Sequence, residues 1–325
     1  MNFEWSQASF YDDRTWKELY KKKGSTRHFI GIVKLYALRA LVVSKVRAYD
    51  FVFLHREMAP LGPPLLEWFL AKILRKKIIY DFDDAIWLPD PNETNRLWRF
   101  LKWKSKVKWI CRWSWKVSVG NEFLASYARK YNSHVFILPT VIDKDFHVPA
   151  SSSSPSELVK LGWTGSHSTL TYLDLLLPIL QKVNKQLPFE MVVIANHNPQ
   201  LDLENYTFVP WKKETEIQDL QQIEIGLMPL SDDDWSKGKC GFKAIQYGAL
   251  AIPALVSPVG VNTQVVIHEK TGFHCKDEGD WEEFLIDLIS DQNLRHRLGK
   301  NGRKHIEQHY SSKAIESEFL SLFQP

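Results

Sequence analysis

Short apolar runs and amphipathic stretches alternate along this chain. Phe51–Leu54 and Lys77–Tyr80 are compact runs ahead of polar residues, and they predict strands. Between them, Pro64–Leu74 carries Leu66, Phe69, Leu70 and Ile73 at helical spacing. Trp115–Val119 and His134–Leu138 predict two more strands around a helix at Glu122–Tyr131. Further along, Val159–Trp163, Glu190–Ala195, Ile223–Met228, Ala251–Val256 and Phe273–Cys275 read as strands. Leu173–Val183, Glu214–Gln221, Lys243–Tyr247, Glu278–Ser290 and Leu294–His309 read as helices. Strands alternating with helices predict parallel sheets covered on both faces. The polar stretch Ser151–Ser156 reads as a linker between residues 1–150 and 151–325. The expectation is an α/β protein of two Rossmann-like domains with parallel sheets facing a cleft, and ligands at the carboxyl ends of the strands.

Charge changes this picture more than composition does. The 325 residues hold 42 Lys and Arg against 38 Asp and Glu, a net charge of +4. Residues 1–150 carry 26 basic and 15 acidic side chains, a net of +11, and the remainder carry a net of −7. An anionic partner for the first half follows from that asymmetry: a membrane surface, a nucleic acid or an anionic acceptor. With 44% hydrophobic and 25% charged residues, the composition excludes a largely disordered chain. No apolar run has the length of a transmembrane helix, and no secretory leader is visible. Three widely spaced cysteines, Cys111, Cys240 and Cys275, point to a reducing, cytoplasmic setting and neither to a disulfide framework nor to a zinc site.

Candidate chemistry gathers at three predicted strand ends in the second half. Leu161–Thr169 runs from a strand through Gly165 and Ser166 toward a helix, where small residues and free helix-start amides suit a phosphate. Such turns are also glycine-rich for steric reasons alone. Ser231–Lys243 follows the apolar run Ile225–Leu230 and brings Lys239 and Lys243 to a helix start. Lysines there can clamp a diphosphate; the plain alternative is that they balance Asp232, Asp233 and Asp234. Ser257–Asn262 reads as a turn at another strand end. In the first half, His55 closes one strand and Asp81-Phe82-Asp83-Asp84 closes the next. Acids and bases at such ends can move protons, although solvated caps are as common.

Together these stretches resemble a GT-B-fold glycosyltransferase of the group 1, family 4 type. Val117–Leu124 resembles the family's strand leading into its "Ser-Glu" helix, and Ile137–Phe146 its hinge strand. Lys239–Tyr247 with Ala251–Pro253 and Ser257–Gly260 resembles the donor-binding segment, and Asp280–Tyr310 the closing helices, the last of which usually crosses back onto the first domain. The resemblance implies a nucleotide-sugar donor held mainly by the second domain, with no metal and no other cofactor. It implies that Gly165, Ser166, Phe242 and Lys243 face the diphosphate, with Lys239 beside them. Gln246 falls at the ribose, Trp211 at the base, and Val261 and Asn262 on the sugar side. Asp83 falls where many members place an active-site histidine, and Asp84 and His55 stand beside it as further catalytic candidates. The family's glutamate pair, eight apart, falls at Gly238 and Gln246, neither acidic. Met1–Trp5 resembles the family's second strand, so the resemblance implies a first domain incomplete at its start.

Between Arg96 and Lys116 lie eight basic residues, five tryptophans and no acid. Read as one helix, the stretch puts Leu97, Phe100, Leu101, Val107, Cys111 and Trp115 on one face. Arg99, Lys102, Lys106, Trp98, Trp103, Trp109 and Trp113 take the other. An outer face of Trp with Lys and Arg fits an anionic membrane interface, or stacking on nucleic acid, and the resemblance favours the membrane. The resulting expectation is a retaining glycosyltransferase with a saccharide or lipid-linked acceptor, cytoplasmic and peripheral on the membrane. The alternative is a non-catalytic nucleotide-binding or scaffold protein of the same fold.

Overall fold

A computed structural model describes residues 3–10, 26–89, 100–150, 157–166 and 169–324. The linker Ser151–Ser156, residues 11–13 and Arg96–Arg99 lie outside the described residues. Two compact units emerge: Met1–Phe82, Ile86–Val119 and Ala125–Ile137 form the first; Asp83–Ala85, Gly120–Leu124 and Leu138–Pro325 form the second.

The first unit is built on a four-stranded parallel sheet in the order β1-β2-β3-β4. Its strands are β1 (Phe51–His55), β2 (Lys77–Phe82), β3 (Lys116–Val119) and β4 (Val135–Ile137). Ile78, Ile79, Tyr80 and Phe82 are buried along β2, as a strand covered on both faces requires. The helices are α1 (Thr26–Lys45), α2 (Leu65–Trp68, continued by a π-helical turn Phe69–Ile73) and α3 (Lys106–Trp113); α4 (Glu122–Ala128) begins in the second unit and belongs to the first from Ala125 on. Phe3–Ser9 forms no strand, which corrects the strand expected at Met1–Trp5.

The second unit carries six parallel strands in the order β10-β9-β8-β5-β6-β7. They are β5 (Lys160–Gly165), β6 (Glu190–Ala195), β7 (Tyr206–Pro210), β8 (Ile225–Met228), β9 (Ala254–Val256) and β10 (Gly272–His274). Counted from β5, this is the doubly wound order, and it reverses between β5 and β8. Strand β7 escapes the sequence pattern because it is a half-exposed edge strand ending in Pro210, a position where a missing N–H costs nothing. The helices are α5 (Leu170–Asp174), α6 (Leu177–Gln186), α7 (Glu216–Leu220), α8 (Asp234–Lys237), α9 (Phe242–Ala249), α10 (Asn262–Val265), α11 (Glu278–Ser290), α12 (Gln292–His309) and α13 (Glu316–Ser321). The single helix expected at Leu173–Val183 is two, and Pro178 in the first turn of α6 fits a break there. Among the described residues, no helix is long and apolar enough to cross a membrane.

The helix expected across Arg96–Lys116 is not continuous. Residues 102–105 form a turn in which Trp103 takes a left-handed backbone (φ 48°), and α3 starts only at Lys106. The turn resets the helical phase. Phe100, expected inward, is 72% exposed, and Lys106, expected outward, is 1% exposed. Lys106 is held inside by Glu57, Nζ to Oε2 2.7 Å, and donates to the Ala59 carbonyl at 2.8 Å. Nearby, the buried Glu67 accepts the Met58 amide at 3.0 Å. Burial pushes the carboxyls of Glu57 and Glu67 upward, and the Lys106 charge opposes it. Lys106→Ala removes the cation and leaves both acids desolvated, so the first unit is expected to lose about 3 kcal/mol. Urea unfolding should show a lower midpoint for that unit's transition.

Candidate functional site

Loops after three neighbouring strands of the second unit meet at the carboxyl edge of its sheet. After β5, Gly165 leaves no room for a side chain: an added Cβ would lie 2.5 Å from the Trp163 ring and 2.6 Å from the Thr169 hydroxyl. The Thr169 amide and hydroxyl both donate to the Ser166 carbonyl, closing the turn into α5. His167 and Ser168 lie outside the described residues. From α5, the Tyr172 hydroxyl meets the Ser236 hydroxyl at 3.0 Å, which ties this turn to α8.

In the loop after β8, two of the three aspartates are engaged away from Lys239 and Lys243. Asp233 caps α8 by accepting the Ser236 amide at 2.7 Å. Asp232 pairs with Lys237 at 3.0 Å. Lys239 and Lys243 are left without an ion pair among the described residues. Instead, the Lys239 ammonium lies 5.8 Å from the Trp235 ring and 6.0 Å from that of Tyr172. The Lys243 ammonium lies 4.1 Å from the ring of Trp163, a close cation–π contact. Lys243 as a whole is half-buried, but its ammonium is the desolvated end. Desolvation, with Lys239 adding repulsion, pushes that ammonium down to about 7. The Trp163 indole N–H is buried without a hydrogen-bond partner among the described residues.

Gly241 makes the approach to α9 in a left-handed conformation (φ 71°), which glycine adopts without strain. Val261 and Val265 leave little room beside it. Two further ties fix the helix. Tyr247, wholly buried, accepts the Thr164 amide at 3.2 Å and reaches the carbonyls of Gly162 and Leu227 at 3.4 Å. Gln246, also buried, donates to Glu216 Oε1 at 3.3 Å, and the same oxygen accepts the Trp211 indole N–H at 3.1 Å.

Of the residues singled out in the second half, Gly165, Lys239 and Lys243 thus share one neighbourhood around Trp163 and Tyr172. Phe242 is exposed at the start of α9, and Ser166 is exposed after β5. Gln246 and Trp211 join through Glu216. Val261 and Asn262 lie against Gly241 with buried side chains, and Asn262 donates to the Ser257 carbonyl at 3.1 Å. Asp83 and Asp84 belong to the second unit, where the Asp83 carbonyl accepts the Cys240 thiol at 3.0 Å. His55 lies in the first unit and meets Asp81 at 2.8 Å.

Glu216, Tyr172, Ser236 and Asn121 escaped the sequence reading. Asn121 caps α4 at the Leu124 amide and donates to the carbonyls of Lys237 and Lys239 at 3.3 and 3.0 Å. An Asn three residues before the Leu124 amide is a legible cap signal; its second role spans more than a hundred residues and is not.

Residues 194–305 match the family described as "Glycosyl transferases group 1". A stretch of 86 residues is 34% identical to the capsular polysaccharide biosynthesis glycosyltransferase CapM of Staphylococcus aureus, covering 26% of this chain and 22% of that relative. Sucrose-phosphate synthase from Thermosynechococcus elongatus superposes with a TM-score of 0.67 at 15% identity, over 90% of this chain and 78% of that one. HepE of Anabaena, solved with UDP and glucose, gives 0.68 at 13% identity, over 88% and 81%. The fold is therefore GT-B, and the group 1 resemblance stated from the sequence holds.

Tyr247→Phe leaves the Thr164 amide buried without its acceptor, an expected loss of about 1–3 kcal/mol. A lowered thermal midpoint with unchanged secondary structure would register it.

Proposed function

We propose that this protein transfers a sugar from a nucleotide-sugar donor to a hydroxyl of a saccharide or lipid-linked acceptor, in glycan synthesis on the cytoplasmic side of the membrane. The observation that carries the reading is the pair Lys239 and Lys243: two lysines with no ion-pairing carboxylate among the described residues, beside a glycine turn and the start of α9. The two ammonium groups repel each other, and a bound anion would relieve that repulsion. The match over residues 194–305 and the UDP complex of HepE support the same donor class.

As the bond from the anomeric carbon to the diphosphate oxygen breaks, negative charge collects on the departing diphosphate. Lys239, Lys243 and the first amides of α9 stabilise it. Gly165 and Ser166 permit close approach of the phosphates. The Trp211–Glu216–Gln246 set borders the nucleoside, with Val261 and Asn262 on the sugar side. The acceptor hydroxyl attacks the anomeric carbon and releases a proton, for which Asp83, Asp84 and His55 are the candidate acceptors. Retention of configuration and independence from metal follow from the resemblance. A non-catalytic nucleotide-binding protein is the second reading, favoured by the absence of carboxylates at Gly238 and Gln246.

UDP, GDP or one of their sugar conjugates should raise the thermal midpoint, and no shift with any nucleotide would overturn both readings. Binding without sugar transfer or donor hydrolysis would select the second. Lys243→Met should weaken binding roughly 10- to 100-fold, the worth of one charge-assisted hydrogen bond.

Above pH 7 the free protein must take up a proton at Lys243 to bind the anion. Affinity should therefore fall as pH rises through about 7, with proton uptake visible by calorimetry in two buffers. Lys243→Met should abolish the part of this dependence that is not due to the nucleotide's own phosphates.

A further inference from the structure

Helix α2 with its π-turn leaves an apolar stripe in solvent. Leu65, Trp68, Phe69 and Ile73 are 66%, 42%, 37% and 53% exposed. The buried side is made by the helix's acid, Glu67, at 3%, and by Leu70, at 0%. A helix that buries a carboxylate and shows solvent aromatic and aliphatic side chains offers that stripe to a partner.

The surroundings say what the partner is. Helix α3 packs against α2, and the Gly62 amide, just ahead of α2, donates to the Leu101 carbonyl at 2.7 Å. The outward side of α3 offers Trp109, stacked 5.9 Å from Trp113, with the Lys108 ammonium 5.3 Å from the Trp109 ring. Lys72, next to Ile73 in the chain, and Arg112, next to Trp113, are both exposed. Residues 65–77 contain one acid, the buried Glu67, and residues 100–116 contain none. The nearby Glu57 is paired with Lys106. The charge presented with the apolar stripe is thus positive. A protein groove or a second copy of this basic surface is a poorer complement than a sheet of anionic headgroups over hydrocarbon, where aromatic rings sit at the boundary and cations above it.

We propose that the α2 stripe, flanked by the Trp109 and Arg112 face of α3, docks this protein on an anionic lipid bilayer. The inference does not depend on sugar transfer. It moves the membrane contact from a helix across residues 96–116 to the exposed stripe of helix α2, with α3 supplying the charged flank.

The test uses the full chain with vesicles of pure phosphatidylcholine, and of phosphatidylcholine mixed with phosphatidylglycerol. Co-sedimentation with the mixed vesicles is expected, at least tenfold above the neutral ones, with a blue shift of tryptophan emission and weakening at high salt. Trp68→Ser with Ile73→Ser should cut vesicle binding at least tenfold. Both sites are exposed, so the thermal midpoint and any nucleotide binding should stay as in the unaltered protein. Lys108→Glu with Arg112→Glu provides a second variant that leaves the stripe intact, and it should lose the preference for anionic vesicles.

Absence of binding to the mixed vesicles overturns the proposal, as does equal binding by the stripe variant. A dimer that the stripe variant dissolves, or salt-sensitive binding to oligonucleotides in place of vesicles, overturns it in favour of another occupant. None of these readouts uses donor or acceptor, so failure of the transferase reading and failure of this one are separable.

Discussion

A lysine ammonium held 4.1 Å from a fully buried tryptophan ring, with no carboxylate pairing it among the described residues, is the constraint around which the second unit's carboxyl edge is arranged. A desolvated cation raises the free energy of the empty protein, and the ring's quadrupole offsets only part of that. Of the neighbouring acids, Asp233 is engaged as a helix cap and Asp232 with Lys237. The Lys243 ammonium is thus left desolvated, its pKa pushed down to about 7.

The helix carrying that lysine is fixed from several sides. Tyr247, four residues on, anchors α9 to the backbone of β5, the strand that supplies Trp163. Gln246, three residues on, reaches Glu216 and through it Trp211. Gly241 makes the turn that a side chain would strain. The strand order reverses between β5 and β8, so their helices diverge and leave the edge between them open. Topology makes the opening, and four or five side chains set its chemistry.

The first unit shows the opposite use of charge. Lys106 is taken inside and satisfied by a carboxylate and a carbonyl, and Glu67 is taken inside to cap the Met58 amide. Satisfying those buried groups fixes the rotation of α2, and the same rotation turns its apolar stripe outward. Periodicity alone groups Leu66, Phe69, Leu70 and Ile73 on one face; Leu70 is buried, but Phe69 and Ile73 are exposed, because period reports which residues share a face and is silent on how that face is covered.

The alternation of strands and helices, the parallel α/β class, the three strand ends bearing glycine or lysine and the charge contrast between the halves are all legible in the order of residues. These are local or compositional: each is written in residues close together in the chain, so α11 at Glu278–Ser290 was legible to the residue. Packing alone settles which cation is inside, which helix face is out, and which distant side chains share an atom. Glu216 reaches Gln246 across thirty residues and Asn121 reaches Lys239 across more than a hundred. Edge strand β7 and the turn at Trp103 belong to the same class. They depend on burial and hydrogen-bond satisfaction, which are properties of the packed chain and have no signature in any short window of residues.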